Sequence, residues 1–124
     1  MIEKKIKFQK KLGDNHSQFI VLVANSSWYL KQYRSLLIKQ ISDYHMMPIA
    51  LAPRDKYTKD LSKLSRYIEW KVSTKNNYNF FSILKAFLIL FNLIYKLKPN
   101  IIHSHTIRPN LLVSFVAYLL NIKL

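Results

Sequence analysis

The sequence predicts an α/β domain: a Rossmann-like parallel sheet with flanking helices. Three observations predict it. Strand-like and helix-like segments alternate from residue 19 to the end, the first apolar run is continuous rather than alternating, and clusters of small polar residues and histidines fall where strands should stop. A chain of 124 residues at 50% hydrophobic composition suits one core and is too short for two ordinary ones.

The first core element is "FIVLVA", residues 19–24, whose branched and aromatic side chains read as a strand buried on both faces. Asn25, Ser26 and Ser27 then suit a helix N-cap, and the following segment to His45 sets Leu30, Tyr33, Leu37 and Ile41 at helical spacing. "MMPIALA", 46–52, is a second strand; Pro53, Arg54 and Asp55 lead into the short amphipathic helix "KYTKDLSKLSR", 56–66. "YIEWKV", 67–72, alternates like a third strand, and the polar linker "STKNNYN" follows. The segment 80–99 is helical by length and apolar on nearly every side, which reads as a core helix; its lysines at 85, 96 and 98 also suit a helix lying on an anionic membrane. "NIIHSHT", 100–106, is the fourth strand, and 108–122 the last helix, with Pro109 tolerated in its first turn. Residues 1–18 read as a basic leader outside the core, because no uninterrupted apolar stretch or small-residue cleavage site makes them a signal peptide.

A formal charge of +14 favours polyanionic partners: phosphates, nucleic acid or an acidic membrane surface. All the carboxylates lie within the first 69 residues, so acid–base chemistry in the second half falls to histidine, lysine or tyrosine. Absence of cysteine excludes disulfides and thiolate zinc sites and fits a reducing, cytoplasmic setting. The only glycine, Gly13, precedes the first strand, which excludes a phosphate-cradling glycine loop. Neither a nucleophile elbow nor a carboxylate pair is present.

With strands in the order 3-2-1-4, ligands are expected beyond the carboxyl ends of strands one and four, where the order reverses. That sets Asn25, Ser26 and Ser27 opposite His103, Ser104, His105 and Thr106. The two histidines are read as taking opposite faces, so that one of them faces the crevice. The competing reading makes both polar strand-end residues satisfied by backbone carbonyls. No metal or cofactor is expected, because two histidines without a carboxylate or thiolate make a poor ligand set. Arg108 and the amides opening the last helix form a candidate anion site, with Asn110 in the same turn.

The stretches "VANSSWYLKQYRSLLIKQI", "IALAPRD" and "KPNIIHSHTIRPNLL" resemble the N-terminal, acceptor-side half of glycosyltransferase family 4, with closest similarity to bacterial enzymes that build surface polysaccharides. The resemblance covers residues 19–124. It implies a GT-B enzyme that transfers a sugar from a nucleotide-sugar donor to a glycan or lipid-linked acceptor with retention, without metal, in the cytoplasm or peripherally at the inner membrane. By position Asn25 and Ser26 match the loop after strand one, His105 the catalytic histidine facing the reacting sugar, and Arg54 and Arg108 loop positions near acceptor or phosphate. The implied substrate-binding set is Asn25, Ser26, Ser27, Arg54, His103, Thr106, Arg108 and Asn110.

Three departures accompany this resemblance. Asn-Ser-Ser stands where many members have a glycine-rich turn, and Tyr44-His45 stands where Gly-His is common. The family also continues into a second domain that grips the donor nucleotide, so the 124 residues by themselves are expected to be inactive. The alternative function is a small basic nucleic-acid-binding module, motivated by charge and by Tyr29, Tyr33, Tyr57 and Tyr67, although nucleic acid is not the expected partner. A third reading is a non-catalytic remnant with an open sheet edge.

Overall fold

The computed structural model describes residues 18–72 and 79–124, so all of the basic leader but Gln18 and most of the polar linker lie outside the described residues. The chain runs β1 (Phe19–Val23), α1 (Ser27–Asp43), β2 (Met47–Ala52), α2 (Thr58–Leu64), β3 (Arg66–Glu69), α3 (Phe80–Leu97), β4 (Ile101–Ser104) and α4 (Ile107–Leu120). The strands form one sheet in the order β3-β2-β1-β4, every pairing parallel, which is the expected order and class.

Alternation along the strands divides the core into two layers. Val21, Val23, Ile49, Leu51 and Ile102 face α3 and α4, meeting Leu90, Ile94, Val113 and Val116. Leu22, Ala24, Ala50 and Ala52 face α1 and α2, meeting Leu30, Ile38 and Leu61. Pro48 is tolerated inside buried β2 because Met47 N–H already points to the β1 side, bonding Gln18 O. The missing Pro48 N–H therefore falls on the β3 side, where pairing begins only at Ile49.

Ser26 caps α1 by accepting from Tyr29 N at 3.1 Å, and the Asp55 carboxylate accepts from Trp28 N at 2.9 Å. A carboxylate from the loop after β2 thus sits at the positive end of the helix after β1. At the other end His45 N–H bonds Ser42 O and Met46 N–H bonds Ile41 O, closing the helix in a Schellman turn. The left-handed residue is His45 (φ 60°), so the turn persists without glycine and Tyr44 escapes the strained conformation.

Some boundaries differ from expectation. The third strand is Arg66–Glu69 rather than 67–72: the last bond of its ladder is Trp70 N–H to Ala52 O, at the final residue of β2, and Val72 N–H turns back to Trp70 O instead of to a neighbouring strand. The second helix shrinks to Thr58–Leu64 because a turn precedes it, with Thr58 N–H bonded to Asp55 O and Asp55 N–H to Thr58 Oγ1. The core-helix reading of α3 holds for one stripe only: Ala86, Leu90, Ile94 and Leu97 are buried, while Phe80, Phe81, Ile83, Leu84 and Leu88 are exposed. By length and composition α3 is apolar enough to cross a membrane. After α4, Lys123 O accepts from Ile102 N–H at 2.9 Å, so the chain returns alongside β4 and begins to cover that edge.

Candidate functional site

The position expected to hold ligands is the join of β1 to β4. Val23 pairs with Ser104, and His105 N–H reaches Val23 O at 2.8 Å, fixing His105 one residue beyond the end of β4. The expectation that the two histidines take opposite faces does not hold. Strand side chains repeat every two residues, so 103 and 105 share a face, and both rings turn toward α1. His103 Nδ1 lies 3.0 Å from His105 Nε2, with the rings edge to face at 4.5 Å.

Two residues of α1 complete the cluster. Arg34 Nε donates to His105 Nδ1 at 3.1 Å, and Arg34 also donates to the Tyr29 hydroxyl at 3.1 Å, its guanidinium lying 5.6 Å from the Tyr29 ring centroid. The Tyr29 ring is itself 5.8 Å from that of His105. His105 is only 5% exposed, whereas His103 is exposed. Burial, then the neighbouring His103, then the Arg34 charge hold the His105 imidazole well below its ordinary range, at about 4, so it is neutral at pH 7. Both of its ring nitrogens are engaged within the protein. His105 is thus buried with both ring nitrogens bonded inside the protein, and the ring of the pair left exposed is that of His103.

Sequence reasoning missed Arg34 and the role of Tyr29, although a signal was present. Leu30 and Ile38 lie in the buried stripe of α1, and Arg34 falls midway between them at the i+4 spacing. A cation at a core-facing position needs a partner, and here the partner is a neutral imidazole with a free lone pair.

The other expected residues scatter. Asn25 is exposed at the lip of β1, and Ser26 spends an oxygen lone pair on its cap, one turn from Tyr29. Ser27 is fully buried; its hydroxyl donates to Pro53 O at 2.8 Å and accepts from Thr58 Oγ1 at 3.0 Å. It therefore ties the start of α1 to the loop after β2 and to the start of α2. Ser27→Ala leaves buried Pro53 O and Thr58 Oγ1 short of a partner and is expected to cost about 1–3 kcal/mol in urea unfolding. Arg54 follows β2 and turns toward β3, its Nε 3.7 Å from the Glu69 carboxylate and its guanidinium 6.0 Å from the Tyr67 ring centroid. The sheet order puts β1 between it and β4, so Arg54 does not join the histidines. Arg108 is half-buried and Asn110 exposed in the first turn of α4.

Thr106 links the cluster to α4 with φ 71° and ψ 160°, a region that β-branched residues avoid, and it makes no side-chain cap. Thr106→Gly is expected to raise stability by about 1 kcal/mol, the relieved strain exceeding glycine's entropy cost; an unchanged thermal midpoint would argue against strain there. Among the described residues, no three His, Cys, Asp or Glu side chains gather as a metal site. Of the tyrosines that motivated the nucleic-acid alternative, Tyr29 has the Arg34 guanidinium 5.6 Å from its ring centroid and Tyr67 has that of Arg54 at 6.0 Å, so both rings already have a partner.

No family model matches the chain, and no curated protein matches it. Solved structures do. A glycosyltransferase from Rickettsia africae ESF-5 superposes with a TM-score of 0.66 at 21% identity, over 89% of this chain and 29% of that one. MurG from Acinetobacter baumannii superposes with a TM-score of 0.64 at 17% identity, over 85% of this chain and 33% of that one. The chain thus spans about a third or less of the length of these two structures. What it shares with these glycosyltransferases is the fold: a parallel, Rossmann-like sheet of four strands with flanking helices, corresponding to part of a GT-B architecture.

Proposed function

We propose that this chain is the acceptor-side part of a retaining glycosyltransferase of family 4, transferring a sugar from a nucleotide-sugar to a glycan or lipid-linked acceptor of a surface polysaccharide. The observation that carries the proposal is the polar cluster of His103, His105, Arg34 and Tyr29 beside the β1–β4 switch point, on a fold shared with glycosyltransferases. Ligands of doubly wound sheets sit at that point, and hydrogen-bond donors there can hold a sugar or stabilise charge developing during transfer. In this reading the donor nucleotide is gripped by a second domain, and the work takes place in the cytoplasm. The test is transfer of labelled sugar from a panel of nucleotide-sugars to extracted membrane lipids by an enzyme containing this domain. Replacing both histidines with alanine is expected to lower the rate roughly 100-fold or more; unchanged turnover would remove the proposal.

Peripheral membrane attachment belongs to the same reading. Exposed Phe81 and Leu88 on α3, and Ile107, Leu111 and Phe115 on α4, accompany a strongly basic chain. Co-sedimentation with anionic liposomes at low salt is expected, weakening as salt rises; a protein that stays in the supernatant would exclude attachment.

A further inference from the structure

We propose that Arg34, acting through His105, locks His103 into a single tautomer whose Nε2–H points outward as a fixed hydrogen-bond donor. The argument follows donor and acceptor chemistry along three residues. A guanidinium only donates, so the His105 Nδ1 that receives Arg34 Nε–H at 3.1 Å must carry a lone pair. The neutral His105 ring then holds its proton on Nε2, and that N–H points at His103 Nδ1, 3.0 Å away. His103 Nδ1 therefore accepts, and the remaining proton of its neutral ring sits on Nε2. His103 is exposed, so this last donor lies where a ligand can reach it.

The chain begins at an anchored end. Arg34 also donates to the Tyr29 hydroxyl and to Tyr33 O, while the Tyr29 ring flanks both the guanidinium and His105. A free surface histidine exchanges between tautomers, offering a donor part of the time and an acceptor the rest. His103, coupled to a permanent cation two bonds away, offers only a donor. It is the residue assigned to touch an acceptor oxygen of the bound sugar; Arg34 and His105 are positioning residues.

The role toward a sugar rests on the glycosyltransferase reading above, whereas the locked tautomer does not depend on what the crevice binds. Long-range proton–nitrogen correlation NMR of the histidine rings at neutral pH tests the lock directly. In the unmodified chain His103 and His105 are each expected to show protonated Nε2 and unprotonated Nδ1, and Arg34→Leu to shift the His103 nitrogens toward averaged positions. Averaged tautomers or a protonated Nδ1 in the unmodified chain would overturn the inference, as would a His103 pattern untouched by Arg34→Leu in a folded variant. Should Arg34→Leu fail to fold, the spectrum of the unmodified chain still decides. A locked tautomer without sugar transfer would remove the glycosyltransferase reading alone; transfer with averaged tautomers would remove this inference alone.

Discussion

Trp70→Ala is expected to lower the unfolding free energy by about 3–5 kcal/mol, the largest effect of any single substitution considered. Trp70 is 1% exposed and fills the space between the end of β3 and α3. Its indole N–H donates to Ala86 O in α3 at 3.2 Å, and its backbone N–H donates to Ala52 O at the end of β2. One side chain therefore joins the sheet to a helix that otherwise holds on through a narrow stripe of Ala86, Leu90, Ile94 and Leu97. Because domains of this size are stable by only about 5–15 kcal/mol, the truncation removes a large fraction of the total. Trp70→Phe keeps most of the volume and loses the hydrogen bond, so it should cost less, about 1–2 kcal/mol. Urea unfolding of the three proteins checks the ranking, and a Trp70→Ala variant within 1 kcal/mol of the parent would contradict the packing argument.

The second large effect is on pH dependence. His105 is depressed to about 4 in the folded chain against an ordinary 6.5. Between those values the unfolded chain binds a proton that the folded chain refuses, so stability is full above about pH 6.5 and falls as pH drops toward 4. The slope from one such group is at most about 1.4 kcal/mol per pH unit. His105→Gln has no titrating ring and should be less stable than the parent at pH 7 but lose less between pH 6.5 and 4.5. Carboxylates titrate in both proteins, so the difference between the two slopes isolates the histidine. Equal slopes would mean that His105 is charged or solvated in the folded state.

Much of this architecture was legible because local pattern and burial agree. "FIVLVA" reads as a strand buried on both faces, and Val21, Leu22 and Val23 are completely buried. Alternating elements point to a parallel sheet, and the doubly wound order 3-2-1-4 places His105 at the β1–β4 join, where it lies. Side-chain commitments were less legible. Ser27 looks like a ligand-binding loop serine, yet a partner 31 residues away in sequence, Thr58, claims its hydroxyl. Arg54 looks like an anion contact, and Glu69 reaches it first. Arg34 gave a clue in its helical spacing, but identifying its partner required tertiary contact with a histidine 71 residues further along. For α3, composition reports how apolar a helix is and not how much of it the rest of the fold covers.

The Asp55 carboxylate at the mouth of α1 carries a consequence for selectivity. It is tethered to the protein and accepts from both Trp28 N–H and Tyr57 N–H, so an incoming anion meets a built-in rival at high effective concentration. A second anion at that helix end, the position that many nucleotide-binding sheets reserve for phosphate, would have to displace Asp55 or bear its like charge at close range.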